Sequence, residues 1–181
     1  MAEFDLLLRA YSSHVHTPWR ENLSGAEKVW FLVYNPASER RFRKRMPELA
    51  LATQESQHGW VPVDLTSKFP EWLTTWRHRE GCFRRPEGLP EQLFHKTLCD
   101  GLIIELLKAR DGDVVALMGA GSLYGVLRLS SVVKAIEGEI KGRLLVCFPG
   151  VREANTYKLF DTGDGWNYLG IPIVVNREIN L

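Results

Sequence analysis

Residues 109–150 read ARDGDVVALMGAGSLYGVLRLSSVVKAIEGEIKGRLLVCFPG, and this stretch decides the fold. Asp113 to Met118 is a short apolar run behind the turn pair Asp111-Gly112. Gly119-Ala120-Gly121 is a glycine-rich turn, expected to open an amphipathic helix from Ser122 to about Ile136. Leu144 to Phe148 is a second apolar run, stopped by Pro149-Gly150. Apolar run, helix, apolar run is the pattern of a βαβ unit with two parallel strands buried on both faces.

The segments on either side extend this pattern. Val29-Trp30-Phe31-Leu32-Val33-Tyr34 is a continuous β-branched and aromatic run ended by Asn35-Pro36, so it reads as a central strand. Trp60 to Leu65 reads as a second strand, placed near an edge because Pro62 cannot donate to a ladder. Strands near 29, 60, 113, 144 and 171, separated by helices, predict an α/β three-layer sandwich. Its sheet is expected to be mainly parallel and Rossmann-like, with about five strands, in a single domain over 1–181. The expected order puts the first strand beside both the second and the third.

Helices are expected over Glu3 to Ser13, over 37–57 and over Leu93 to Lys108. In the second of these Ser38 is the N-cap candidate, and Pro47 should kink or restart the helix. Thr66 to His78 reads as a Trp-bearing helix or pair of turns. The segments 14–26 and 77–90 carry loop residues. A short strand at Thr156 to Phe160, a turn at Asp161 to Gly165 and a terminal strand near Ile171 complete the expectation.

Composition excludes several functional classes. The 181 residues are 45% apolar and 25% charged, with a net charge of +1, so no global field attracts nucleic acid or anionic membrane. No apolar run approaches the roughly 20 residues of a membrane helix. The start, MAEFDLLLRAYSS, lacks the basic opening and cleavage pattern of a secretory signal. Cys82, Cys99 and Cys147 are an odd, widely spaced set, which argues against a disulfide framework or a zinc site and for a cytoplasmic protein.

Five features of the sequence bear on function. Gly119-Ala-Gly121-Ser-Leu-Tyr-Gly125 invites a nucleotide reading through backbone donors at a helix start. Its spacing is not the dinucleotide fingerprint, and no Gly-Lys-Ser/Thr follows; the plain alternative is a tight strand-to-helix turn. Arg40, Arg41, Arg43, Lys44 and Arg45 form a basic run that could meet an acidic partner or a phosphate backbone, or simply be a solvated face. Asp161 and Asp164 offer two carboxylates for metal-dependent hydrolysis, against a plain turn. The five histidines, at 14, 16, 58, 78 and 95, show no metal-ligand spacing. Ser122 lacks the nucleophile elbow. The residues alone therefore give an α/β domain with no recognisable catalytic set, no cofactor and no metal. Ligands in open α/β sheets bind beyond the carboxyl ends of the strands. The candidate contact rim is accordingly Asn35, Pro36, Gly119, Gly121, Ser122, Pro149, Gly150, Asn155, Tyr157, Asp161, Asp164 and Trp166.

Three blocks together resemble a known family. VWFLVYNP (29–36), VVALMGAGSLYGVLR (114–128) and LLVCFPG (144–150), followed by NTYKLFDTGDGWNYLGIPI, are similar to BrxB, a small component of bacteriophage-exclusion (BREX) defence systems. The resemblance spans roughly 28–175. It departs from the family pattern at Asn35, where an Asp is associated with the position before the proline, and at Val151-Arg152, where an acidic-aromatic pair is associated with the site. The resemblance implies a non-catalytic subunit, an adaptor or assembly factor acting by protein contact. PglZ is the expected partner, with the PglX methyltransferase and the BrxC ATPase as further ones. It supplies no catalytic residues.

Overall fold

A computed structural model describes residues 3–160 and 165–175. In chain order, α1 (Glu3–His16) leads to β1 (Val29–Tyr34), then α2 (Glu39–Lys44), α3 (Met46–Glu55) and β2 (Gly59–Asp64). Next come α4 (Lys68–Thr75), α5 (Arg79–Arg84), α6 (Glu91–Lys108) and β3 (Asp113–Met118). The described chain ends with α7 (Leu129–Ile136), β4 (Arg143–Glu153), β5 (Thr156–Leu159), β6 (Trp166–Asn167) and β7 (Ile171–Ile173).

The result is a mixed α/β fold on a seven-stranded sheet with the order β2-β3-β4-β1-β7. The pairs β1·β4, β1·β7, β2·β3 and β3·β4 are parallel. β5 runs antiparallel to the far end of β4, and β6 antiparallel to β5. The expected order is corrected: β1 lies between β4 and β7, not beside β2 and β3. Sequence patterns show which runs are strands but carry no information on which neighbour each one takes. β2 is the edge strand that Pro62 implied.

Side chains on successive strand residues point to opposite faces, and both faces here are apolar. Val29, Phe31, Val115, Leu117, Leu144, Val146 and Phe148 face one core, with Phe94, Leu98, Leu102 and Leu106 of α6 and Val132, Val133 and Ile136 of α7. Trp30, Leu32, Tyr34, Val114, Ala116, Leu145 and Cys147 face the other, with Phe4, Leu7 and Tyr11 of α1, Phe42 of α2 and Met46 and Leu49 of α3. Burial on both faces is why these runs are continuously apolar rather than alternating. Tyr11 Oη and Thr53 Oγ1 lie 2.6 Å apart in the second core and tie α1 to α3.

The elements bear out the restart at Pro47 and correct four other expectations. The helix expected over 37–57 is two helices broken at Arg45, with Pro47 in the first turn of α3, so the proline restarts the helix as its ring chemistry required. Ser38 stands at the N-cap position of α2 without capping it; its hydroxyl instead donates to Glu3 Oε2 at 3.0 Å. The segment expected as loop at 77–90 contains α5, and α1 runs on to His16. β4 passes through Pro149-Gly150 and continues to Glu153, because beyond Phe148 it pairs with β5. A Cβ on Gly150 would lie 2.2 Å from Lys158 O, so only glycine lets β5 approach there.

Candidate functional site

The glycine turn after β3 does not open an α-helix. Ala120–Leu123 is a 3-10 turn, Gly125 takes a left-handed conformation with φ of 77°, and α7 begins only at Leu129. The helix start needed for a phosphate cradle is therefore absent from Gly119–Gly121. The space over both glycines is taken by the chain's own side chains. A Cβ on Gly119 would lie 2.4 Å from Thr66 Oγ1 and 2.8 Å from Arg43 Nη2. One on Gly121 would lie 2.5 Å from the Phe160 ring.

The group over Gly119 is a polar network. Arg43 of α2 bonds Glu39 Oε1 at 2.6 Å, Asp64 Oδ2 at 3.1 Å and Thr66 Oγ1 at 2.5 Å. Glu39 also accepts from the Tyr34 hydroxyl at the end of β1. Thr66 donates both its amide and its hydroxyl to Asp64 Oδ1, at 2.9 and 2.5 Å. Partial burial would raise the Asp64 carboxyl, but the Thr66 donors and the Arg43 guanidinium outweigh it and hold the group below its ordinary value. Strand order reverses between β4 and β1, where an open sheet usually offers its crevice. Here the Tyr34 and Phe42 rings stack 3.9 Å apart at the end of β1, and the network ties α2 to the segments that follow β2 and β3.

The basic run divides in two. Arg43 is consumed by the network, and Arg45 by Asp5 Oδ1 at 2.6 Å and Glu48 Oε1 at 2.7 Å, over the Phe4 ring. Arg40, Arg41 and Lys44 are exposed and form no ion pair among the described residues.

The candidate rim is dispersed. Asn35 is exposed, and its side chain accepts from the Ala37 amide at 2.9 Å. Pro36 is half-buried in the turn after it. Ser122 Oγ lies 3.0 Å from Leu65 O and 2.8 Å from Gly119 O, so its one hydroxyl proton is directed at these two main-chain oxygens. Pro149, Gly150 and Tyr157 are buried, and the Tyr157 hydroxyl donates to Gly170 O at 3.2 Å. Asn155 is exposed in the β4–β5 turn, and Trp166 is half-buried against Phe31 and Tyr157. Asp161 and Asp164 lie outside the described residues.

One aromatic pair beside this rim, from residues outside it, could not be paired from sequence. The Tyr124 and Phe160 rings meet edge to face at 5.4 Å, above Gly121, and both are exposed, Tyr124 by 54% and Phe160 by 38%. Phe160 has a φ of 54°, a left-handed conformation that costs a bulky residue of order 1–3 kcal/mol. Its amide is anchored to Pro149 O at 3.1 Å, so β4 and β5 hold the ring up against that strain. Beside the pair lies a groove of about 420 Å³. Glu91, Tyr124, Arg128, Leu159 and Trp166 are among the residues that line it.

The chemistry of the thiols points away from nucleophilic work. The structure brings Cys99 within 3.7 Å of His95 on α6, but burial pushes that thiol up to about 11, opposite to an activated cysteine. All three cysteines are buried and free. Among the described residues no group of three or more His, Cys, Asp or Glu side chains stands where it could hold a metal ion. No described helix is long and apolar enough to cross a membrane.

The family model described as BREX protein BrxB matches residues 84–169. This bears out the resemblance carried by 114–128 and 144–150, while the block at 29–36 lies outside the match. The match supports membership of a BREX system. No curated protein and no solved structure matches the chain.

Proposed function

The chain is BrxB-like over residues 84–169, and from that premise we propose that it is a non-catalytic component of a BREX-type anti-phage defence system, an adaptor or assembly factor that works by protein contact. PglZ is the expected partner, ahead of the PglX methyltransferase and the BrxC ATPase. On the same reading the sheet and the helices on its two faces form a single three-layer, Rossmann-like scaffold that presents a contact face.

The observation that carries the reading is the Tyr124–Phe160 pair and its groove. Every residue lining that groove falls between 91 and 166, inside the family-matched stretch. Aromatic anchors beside a groove are the usual energetic centre of a protein interface. A strained backbone that exposes a large ring is better explained by use of the ring than by stability.

The test is co-purification of the tagged chain with PglZ from cells making both. Wild type should recover PglZ. Tyr124→Ala and Phe160→Gly should each weaken capture by about 30-fold, the effect of losing a hot-spot residue worth about 2 kcal/mol. Phe160→Gly should also leave the melting temperature unchanged or raised, since glycine accepts the left-handed backbone. Undiminished capture by both variants would refute this contact face. Failure of the wild type to recover PglZ would refute the partner.

A further inference from the structure

We propose that Arg40, Arg41 and Lys44 form a contact for the phosphate backbone of double-stranded nucleic acid. They follow β1 at the carboxyl end of the sheet, and with Ala37 and Ser38 they line an open depression of about 360 Å³. The disposition of acids around them is selective. Arg43 is met by Glu39 and Asp64, and Arg45 by Asp5 and Glu48. The three cations between and beside them receive none of these carboxylates. Glu3 lines a neighbouring depression together with Arg41, but its two oxygens accept from the Asn35 amide and the Ser38 hydroxyl.

Two points favour a polyphosphate over an acidic protein. First, the lining contains no large apolar side chain. Protein interfaces draw their energy from such anchors, whereas phosphate contacts need only cations and released counterions. Second, two of the three cations are arginines, whose planar fork matches phosphate oxygens bidentately. Arg40 and Lys44 are one helical turn apart and so project from one side of α2. The near-neutral net charge of +1 makes the contact local, so it should be weak alone and serve to orient the protein on a duplex. This surface shares no lining residue with the Tyr124–Phe160 groove, so the two assignments stand or fall separately.

The test is fluorescence anisotropy with a labelled random-sequence DNA duplex of about 20 base pairs, titrated across salt. Three phosphate contacts predict a log–log salt slope of about −2.7, hence an affinity about 40-fold lower at 200 mM than at 50 mM salt. Each of Arg40→Gln, Arg41→Gln and Lys44→Gln should reduce that slope by about 1. A charge-matched control, Arg84→Gln with Arg85→Gln and Lys134→Gln, changes exposed cations elsewhere and should leave the slope unchanged. Circular dichroism of every variant should match wild type, as none of these side chains is buried. No binding at low salt would overturn the proposal. So would equal weakening by the control set, or tighter binding of a polyglutamate peptide than of the duplex.

Discussion

Gly119 and Gly121 stand two residues apart and carry different constraints. Gly119 has a φ of 72° and is hemmed in by Thr66, Arg43 and Asp64, which are locked to one another. An added Cβ meets strain and a rigid network together. Gly119→Ala should therefore cost about 1–3 kcal/mol, read as a urea midpoint about 1 M lower. Gly121 has no positive φ, and its neighbour is the far end of one exposed ring. Phe160 can swing away, so Gly121→Ala should cost little stability but break the edge-to-face contact with Tyr124 and weaken partner capture. Equal destabilisation by the two substitutions would contradict this assignment. The sequence shows both glycines but cannot separate them, because the side chains that distinguish them come from positions 43, 64, 66 and 160. The nucleotide reading of this turn rested on the same blindness: the spacing was visible, the occupants of the space were not.

Elements meet at the end of β2, where Arg43 clamps α2 to Asp64 and Thr66. The Asp64 carboxyl is held below its ordinary value in the folded chain, so its stabilising contribution is complete above the ordinary carboxylate range. It is lost as pH falls through the lowered folded value, which places the loss below about pH 4. A partly exposed pair of this kind is worth about 0.2–1 kcal/mol. Wild type should thus melt higher than Asp64→Asn at pH 7, with the gap closing as pH falls below about 4. Asp113 is lowered in both proteins by Arg110, so the difference between them isolates Asp64. A gap independent of pH would mean that Asp64 acts through shape alone. Most elements were legible locally: β1, β3 and α6 follow from apolar runs of the right length, and Pro47 marked the restart of α3. The start of α7 was not, because the 3-10 turn and left-handed Gly125 interrupt a segment whose apolar spacing still looks helical. Nor was the length of β4, since Pro149-Gly150 reads as a stop until β5 is there to pair with it. β6 is two residues long and has no periodicity to detect.

At the scale of the molecule, the stretch that carries the family match holds only part of the sheet it belongs to. Residues 84–169 contain β3, β4, β5 and β6 with α6 and α7, but β1, β2 and β7 lie outside. β1 pairs with β4 along its full length, from Val29↔Leu144 to Tyr34↔Pro149, and five of its six residues are buried. Removing it opens both cores at once: Phe31 leaves one, and Trp30, Leu32 and Tyr34 leave the other. It also bares an apolar strand edge, a template for aggregation. α1, α2 and α3, which cover the second face, go with it. The fragment 84–169 should accordingly show no cooperative thermal transition and no near-ultraviolet circular dichroism, and should bind a hydrophobic dye. A chain of 3–175 should melt in one transition with native tertiary signals. If the fragment folded cooperatively and captured PglZ, the matched stretch would be an autonomous module. The loss of both signals would show instead that the contact face depends on β1, a strand that the family match does not include.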